Sequence, residues 1–305
     1  MNENDIPAVT DTRCGYIAIV GRPNVGKSTL LNHLLRQKVS ITSRKPQTTR
    51  HRILGIHTQD GNQYVFVDTP GLHRERKKPL NRIMNETVIK TIKDVDLILM
   101  VVDKLAWTDE DELVLAAVSR ANAPVLLLIN KIDLIPDKPR LLPHMELLAG
   151  KADFAEIIPL SALKDDNFDR LFSILEKYLP PGPFLFPPEQ VTDRSSRFVA
   201  AEMIREKITR QLGDELPYET NVEIEKYATE GQLLVIHGLI LVDKPGQKQI
   251  IIGKDGERLK LIGSEARKDM EKMFQSKVLL KLWVKVRSGW ADDERALQSL
   301  GYTSD

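Results

Sequence analysis

The stretch GRPNVGKS, residues 21–28, constrains the fold more than any other part of the sequence. It follows the apolar run YIAIV and precedes STLLNHLLRQ, in which leucines recur at helical spacing. The spacing G-x-x-x-x-G-K-[ST] between a strand and a helix is typical of a loop whose backbone amides surround phosphate groups. The sequence therefore predicts an α/β domain built around this loop.

Further short apolar runs extend this α/β pattern along the chain. Helix-length segments separate most of them, which favours a mainly parallel sheet that is covered on both faces. The stretch RILGIHTQDGNQYVFVD adds one antiparallel hairpin that turns at Asp60-Gly61. The predicted strands after YIAIV are VFVD (65–68), LILMVVD (97–103), VLLLIN (125–130) and AEIIPL (155–160).

The pattern changes after PPGPFLFPPEQ, residues 180–190. Proline removes a backbone donor and fixes φ, so this stretch predicts a semi-rigid linker that packs partly on a surface through its phenylalanines. Beyond it we predict a small α+β domain with the order helix–strand–strand–helix–strand. The predicted organisation is a flexible tail at 1–14, an α/β domain at 15–180, a linker at 181–190 and a second domain at 191–305.

Composition excludes several classes of protein. Hydrophobic residues make up 42% and charged residues 29%, as in soluble globular proteins. No apolar run approaches the roughly 18 residues of a membrane span, and the polar N-terminus lacks the apolar core of a secretory signal. Cys14 is the only cysteine, which fits a reducing cytoplasm.

The first glycine loop predicts a nucleotide site with defined roles. Lys27 is expected to bridge the β- and γ-phosphates, and the Ser28 hydroxyl to bind Mg²⁺. The residues that we expect to surround the phosphates are Gly21, Arg22, Pro23, Asn24, Val25, Gly26, Lys27, Ser28 and Thr29.

Three later motifs complete this site, because each follows a strand and the carboxyl ends of parallel strands share one sheet edge. In DTPG, Asp68 suits the Mg²⁺ side and the Gly71 amide suits the γ-phosphate. In NKID, the Asp133 carboxylate can accept hydrogen bonds from N1–H and the exocyclic amine of guanine, which favours GTP over ATP. The other residues expected there are Thr69, Pro70, Asn130, Lys131, Ser161, Ala162 and Leu163.

The loop SRKPQTTRHR, residues 43–52, has no periodicity and predicts a nucleotide-sensitive switch. Thr49 is our first choice for a hydroxyl that binds Mg²⁺ only when the γ-phosphate is present, and Thr48 is the second. Leu72 stands where some GTPases have a glutamine that orients the attacking water. We therefore hypothesise that Asn24 helps to hold a K⁺ ion beside the phosphates.

A second glycine turn, GKDG at 253–256, lies in a basic stretch. Residues 244–290 contain twelve Lys/Arg against five Asp/Glu, a local charge of +7, although the whole chain carries only +1. Both features have ordinary alternatives, a surface turn and a solvated basic helix face. Together they indicate a KH module, in which a GXXG turn clamps single-stranded RNA. The predicted RNA-binding residues are Ile251, Ile252, Gly253, Lys254, Asp255, Gly256, Arg258, Lys260, Lys281, Lys285 and Arg287.

Two finer expectations concern this module. Ile251 and Ile252 are expected to form an apolar floor for bases. Trp283 shares a strand face with Lys281, Lys285 and Arg287, where it either stacks on a base or packs against a neighbouring element.

The motifs GRPNVGKS, PQTTR, DTPGL, NKID and SAL, followed by the proline linker and IIGKDGERLK, resemble the Era family of GTPases from about residue 15 to residue 290. The resemblance implies a P-loop GTPase domain followed by a KH-type domain, hydrolysis of GTP to GDP with Mg²⁺, and a monomer. It also implies binding to small-subunit ribosomal RNA near its 3′ end, a role in small-subunit assembly, and a cytoplasmic location with peripheral association with the inner membrane. HRERKK, residues 73–78, either contributes charge to that association or is a solvated loop.

One alternative belongs to another functional class. It is a GTP-dependent signalling switch at the membrane, in which the C-terminal domain docks proteins. A third interpretation, an ATP-using enzyme, is disfavoured by NKID.

Overall fold

A computed structural model of the chain describes residues 12–43, 45, 48–72, 79–164, 167–212, 220–290, 293 and 297. The chain forms two compact units: 1–37, 53–68 and 89–193 in the first, and 38–52, 69–88 and 194–305 in the second. This division differs from the predicted boundaries. The predicted linker groups with the first unit, and two segments of the predicted α/β domain group with the C-terminal part.

The first unit contains a six-stranded sheet in the order β2-β3-β1-β4-β5-β6. Every pairing is parallel except β2–β3, the antiparallel hairpin predicted around Asp60-Gly61. Six of the seven residues of β4 are buried, as expected for a strand covered on both faces. The strands are β1 Arg13–Val20, β2 Ile53–Gln59, β3 Asn62–Asp68, β4 Leu97–Asp103, β5 Val125–Asn130 and β6 Glu156–Pro159.

Helices alternate with these strands as predicted. A Thr108–Asp111 capping box, in which each side chain accepts from the other residue's backbone N–H, fixes the start of the third helix. Most of the second helix belongs to the second compact unit. The helices are α1 Lys27–Leu34, α2 Pro79–Thr91, α3 Asp109–Val118, α4 Leu141–Ala149 and α5 Phe168–Tyr178.

The proline linker is fixed to the edge of this sheet. The buried Gln63 side chain accepts from the backbone N–H groups of Leu185 and Phe186 and donates to the Phe186 carbonyl at 2.8 Å. Further along, Val191 accepts from the Ile56 backbone N–H at 2.8 Å. The linker thus packs on β3, as expected, and Val191, the residue that follows it, supplies a partner to the edge strand β2.

The second unit contains a three-stranded sheet in the order β7-β8-β9, with β7–β8 antiparallel and β8–β9 parallel. Its apolar core joins sheet residues such as Ile236 and Val284 to Ile204 and Ile262 of two helices. The elements are α6 Ser196–Gln211, β7 Thr220–Glu230, β8 Leu233–Val242, α7 Pro245–Ile252, α8 Glu257–Phe274 and β9 Lys277–Val286.

The structure contains a helix, α7, that the predicted order lacks. The observed order is helix–strand–strand–helix–helix–strand. The first residue of α7 is Pro245, and the Gln247 side chain accepts from the backbone N–H groups of Asp243 and Lys244. Proline at the first helical position and a glutamine that reaches back are start signals, but the whole helix has only eight residues. A helix this short has too few turns to show periodicity.

Candidate nucleotide and nucleic-acid sites

The glycine loop of the first unit lies between β1 and α1, as its sequence predicts. Gly26 has φ +102°, and a Cβ atom there would lie 2.3 Å from Asn130 Nδ2. Any other residue type would displace Asn130. Because glycine has no Cβ atom, the backbone at this point can also approach a ligand closely. The loop and the start of α1 have the form of a phosphate cradle.

Lys27 extends into the same loop. Its Nζ donates to the carbonyl oxygens of Gly21 and Arg22, both at 2.9 Å. Burial lowers the pKa of Lys27 to about 8, and the negative charge of Asp68 opposes that effect. A buried ammonium held at the mouth of a phosphate loop is suited to bind phosphate oxygens.

Ser28 and Asp68 lie together, as expected for a shared ion. Ser28 Oγ donates to Asp68 Oδ2 at 3.0 Å, and Asp68 is fully buried at the end of β3. A hydroxyl and a carboxylate are the oxygen ligands that Mg²⁺ prefers, so this pair fits the expected ion.

Asn130 joins three of the predicted motifs through one buried side chain. Its Oδ1 accepts from the backbone N–H groups of Lys131 at 2.7 Å and Ala162 at 2.9 Å. Its Nδ2 donates to the Val25 carbonyl at 2.8 Å. The phosphate loop, NKID and SAL are therefore held in one fixed arrangement at the carboxyl edge of the sheet.

Asp133 follows in a short turn of 3₁₀ helix, Ile132–Leu134. Ser161 Oγ donates to Asp133 Oδ1 at 2.6 Å, which orients the carboxylate. This carboxylate is the group predicted to distinguish guanine from adenine. Leu163, at the end of SAL, is 73% exposed.

Two carboxylates beside the phosphate loop were not predicted. Asp111 is fully buried and accepts from Arg22 Nε at 3.1 Å. Asp103 accepts from Lys131 Nζ at 3.3 Å, and that ammonium also donates to the Asn24 carbonyl at 2.6 Å. The position of Asp103 at the end of LILMVVD, on the sheet edge shared by the motifs, was the available signal.

The remaining nucleotide-site residues, Thr48, Thr49 and 69–71, belong to the second unit. Thr49 and Thr69 are buried, and Thr48 Oγ1 donates to the Lys45 carbonyl at 2.7 Å. Leu72, which stands where some GTPases have a glutamine, is 8% exposed.

Within the second unit, a buried carboxylate attaches segment 38–52 to α6. The Glu206 side chain is inaccessible to solvent and accepts from Lys38 Nζ at 2.5 Å and from the Thr42 backbone N–H at 3.0 Å. Lys207 Nζ lies 3.3 Å away, and Arg210 Nη2 donates at 3.0 Å. We call this set of contacts the Glu206 clamp.

A second attachment is made by the preceding residue of α6. Arg205 forms a buried ion pair with Glu202 at 2.6 Å and donates to the Thr48 carbonyl. His51 packs against Phe198 with ring centroids 5.3 Å apart. Burial lowers the pKa of His51 to about 4, although the charge of Glu202 opposes this, so the ring is neutral at pH 7.

Segment 69–88 is also attached within this unit. Leu80 and Met84 of α2 pack with Trp290 and Leu297 in a small buried cluster. Trp290 is 1% exposed and therefore has a packing role. Both candidate switch segments thus contact elements of the C-terminal part of the chain.

The second glycine turn lies between α7 and α8. Gly253 has φ +74°, and a Cβ atom there would lie 2.8 Å from the Arg258 Cβ atom. Lys254 and Asp255 are exposed, and α8 begins directly after Gly256. The turn therefore presents a cation and a helix N-terminus to solvent.

The other predicted RNA-binding residues divide into two groups. Ile251 is fully buried in the core, so it offers no surface to a base and the expected floor is wrong for this residue; Ile252 is partly buried. Arg258 Nη1 donates to the Ile250 carbonyl at 2.5 Å. The exposed members are Lys260, Lys281, Lys285 and Arg287.

Comparison with known proteins identifies two matching families. Residues 16–131 match the family described as a 50S ribosome-binding GTPase, and residues 215–291 match the KH domain family. The chain is 60% identical to GTPase Era of Ectopseudomonas mendocina over 95% of this chain and 97% of that protein. It is 58% identical to GTPase Era of Pseudomonas aeruginosa strain LESB58 over 98% and 97%.

Solved structures give the same result. A variant of Aquifex aeolicus Era bound to GDP·AlF4⁻ superposes with a TM-score of 0.93 at 41% identity, covering 96% of this chain and 100% of that one. Era in complex with MgGDPNP and nucleotides 1506–1542 of 16S ribosomal RNA also gives 0.93 at 41% identity, covering 96% and 99%. The chain therefore belongs to the Era family of GTPases.

Proposed function

We propose that the protein hydrolyses GTP, binds small-subunit ribosomal RNA near its 3′ end and acts in assembly of the small ribosomal subunit. The supporting observation is the match over 96% of the chain to Era in complex with MgGDPNP and 16S ribosomal RNA nucleotides. The residues that such a function needs are present at both glycine turns. A cytoplasmic, monomeric protein fits this role.

The proposed reaction converts GTP and water to GDP and phosphate. Lys27 binds phosphate oxygens, the loop amides hold the triphosphate, and Asp133 selects guanine. Ser28 and Asp68, with Thr49 in the GTP state, are the proposed ligands of Mg²⁺, which when bound neutralises phosphate charge. The Gly71 amide is proposed to sense the γ-phosphate.

Leu72 has no polar group to orient water, so hydrolysis needs another source of stabilisation. Among the residues that the structure describes, the Asn24 side chain makes no hydrogen bond, and Asn24 is exposed with φ +65°. Its amide oxygen is therefore available for a K⁺ ion beside the phosphates.

This proposal predicts that GTP turnover is faster in K⁺ than in Na⁺, by roughly tenfold or more, because a fixed positive charge stabilises the transferring phosphoryl group. Asn24→Ala should reduce the rate in K⁺ to that in Na⁺ while GTP affinity stays within about threefold. Asn32→Ala, in α1, is the control. Equal wild-type rates in the two salts would contradict the proposal.

We further propose that GTP and GDP states bind RNA differently because segment 38–52 responds to the nucleotide. The Glu206 clamp and the Arg205–Thr48 contact attach this segment to α6, whose apolar side belongs to the core of the KH domain. A rearrangement of segment 38–52 changes these contacts. It thereby shifts the populations of KH-domain conformations that differ in RNA affinity.

Reversing the charge at the second glycine turn tests the RNA function. Lys254→Asp is expected to weaken binding of 16S ribosomal RNA nucleotides 1506–1542 by roughly tenfold or more, because a phosphate contact becomes a repulsion. Basal GTP hydrolysis should persist. The exposed Lys272→Asp is the control. Unchanged RNA binding in Lys254→Asp would favour the alternative, a switch whose C-terminal domain docks proteins.

Peripheral association with the inner membrane is a further proposal from family membership. No helix among the described residues has the length and apolar character needed to cross a bilayer. The basic stretch considered for this association, residues 73–78, lies outside the described residues.

A further inference from the structure

The sheet of the second unit has a face that the helices do not use. Its inner face carries core residues such as Ile236, Ile240 and Val284, which pack with α6 and α8. Side chains alternate along a strand, so the intervening residues of β8 and β9 point to the opposite side. We call that side the outer face; it includes Val235, His237, Leu239, Leu279, Lys281, Trp283 and Lys285.

On the outer face, two large apolar side chains of β9 are exposed, whereas Val235 and Leu239 of β8 are buried. Trp283 is 37% exposed and Leu279 is 40% exposed. The Trp283 ring meets the His237 ring edge-on, with centroids 5.8 Å apart. Leu239, directly beside Trp283 on β8, is buried and supports it from the neighbouring strand. A partly exposed indole fixed by neighbouring side chains is suited to stack on a planar ligand.

The charges around Trp283 favour a polyanion. Lys277, Lys281 and Lys285 are exposed and lie at every fourth position of β9, so successive ammonium groups start about 13 Å apart along the strand. β9 is one of the two edge strands of the sheet, and β7 is the other. On the same side of the sheet, β7 carries Glu223, which lies opposite Leu239, and Glu230, which is paired with Lys226 at 2.6 Å.

We propose that the outer face binds single-stranded RNA that continues from the glycine turn, with Trp283 stacked on a base and Lys281 and Lys285 contacting phosphates. This inference rests on the proposed RNA binding at residues 253–256. That turn lies between two helices on the inner side, and β9 is an edge strand. An RNA strand that passes around this edge therefore reaches both surfaces. Aromatic residues beside cations on a sheet hold single-stranded nucleic acid in this way.

RNAs of different length distinguish binding at the glycine turn from binding at the outer face. A GXXG turn clamps about four nucleotides, so pentanucleotides tiled across nucleotides 1506–1542 identify one that occupies the turn alone. Extensions of it to about twelve nucleotides, in either direction, also reach the outer face. Trp283→Leu should weaken binding of the longer RNA by roughly 5- to 100-fold and leave pentanucleotide affinity within about twofold, because stacking on the indole is lost. Lys281→Gln should lower the salt dependence of the longer RNA by about 0.7 in the log–log slope.

Three control measurements test whether the loss of affinity is due to lost stacking and lost charge. Trp283→Phe keeps an aromatic ring and should retain most of the affinity for the longer RNA. If Trp283→Leu weakened binding only by disrupting the fold, an aromatic replacement would not be expected to preserve it. Tryptophan fluorescence should be quenched by the longer RNA in the wild type but not in Trp283→Leu. Lys272→Gln, on the solvent side of α8, should leave the slope unchanged.

The outcomes also separate this inference from the proposed function. If the wild type binds no pentanucleotide, RNA binding at the glycine turn fails and the inference fails with it. If the pentanucleotide binds but Trp283→Leu leaves affinity and quenching by the longer RNA unchanged, only the outer-face proposal is overturned. A loss of binding to a protein of the small subunit in that variant, with RNA binding intact, would assign the face to a protein partner.

Discussion

Replacing Gly26 with alanine is expected to abolish binding of both GTP and GDP. The added Cβ atom would lie 2.3 Å from Asn130 Nδ2, and φ +102° is strained for any residue with a side chain. Asn130 has no room to give, because its amide also holds the Val25 carbonyl and the Ala162 N–H. Relief of the overlap must therefore displace the phosphate loop or the base-recognition motifs. We expect a loss of at least roughly 100-fold in affinity, measured by calorimetry.

Gly150→Ala is the matched control in the same unit. Gly150 ends α4 with φ −76°, and a Cβ atom there would lie 3.6 Å from the Leu147 carbonyl, an ordinary contact. The Gly150→Ala protein should bind GTP with the affinity of the wild type. Both proteins should bind ATP much more weakly than GTP. Binding of GTP by Gly26→Ala within about threefold of wild type would refute the assigned role of the loop.

The sequence was sufficient for the site in the first unit because its parts are local. Each motif follows an apolar run that forms a strand, and parallel strands bring their carboxyl ends to one edge. Ser28, Asp68 and Asn130 could therefore be placed near one another without a structure. The contacts of Asn130 with Val25 and Ala162 required coordinates, because the alternation of strands fixes an edge but not a hydrogen bond.

The attachments in the second unit could not be predicted from the sequence. Glu206 lies on a helix whose charged residues look solvent-exposed, yet its partners Lys38 and Thr42 are more than 160 positions away in the chain. Periodicity assigns a face to a helix but does not identify what covers it. Segments 38–52 and 69–88 were therefore placed with their neighbours in sequence rather than with α6 and Trp290.

The error at Ile251 has a related cause. An apolar pair before a glycine turn fits both a core position and a binding floor. In a short helix the two adjacent residues point about 100° apart, so one is buried and the other is partly exposed. The structure assigns the core to Ile251.

The Glu206 clamp concentrates charge in a buried place. Lys38 and Lys207 each contact both Glu206 and Asp269, with Asp269 Oδ2 at 3.0 Å from Lys38 and 2.5 Å from Lys207. Burial alone raises the pKa of Glu206, but hydrogen bonds from Lys38 and Thr42 and the nearby positive charges outweigh it and hold the pKa below its usual value. The folded state therefore stabilises the ionised carboxylate.

Glu206→Gln is expected to destabilise the second unit at neutral pH by roughly 3 kcal/mol, because the buried Lys207 ammonium and the partly exposed Lys38 ammonium each lose one of their two carboxylates. The sign of the pH dependence follows from the lowered pKa: the stabilisation is present above the unfolded value of about 4.3 and is lost as pH falls through the folded value. Wild type and variant should therefore differ in urea unfolding at pH 7, followed by tryptophan fluorescence, and converge as the pH falls below the folded-state pKa of Glu206.

The same variant should uncouple the two ligands, because segment 38–52 loses its attachment to α6. We expect basal GTP hydrolysis to persist while the ratio of the RNA affinities of the GTP and GDP states approaches one. The control is Glu230→Gln, which removes a carboxylate from an exposed pair with Lys226 and should change neither stability nor coupling. A Glu206→Gln protein that keeps the full nucleotide dependence of RNA binding would show that the clamp only stabilises the unit, and that the nucleotide reaches the KH domain through α2 and Trp290 instead.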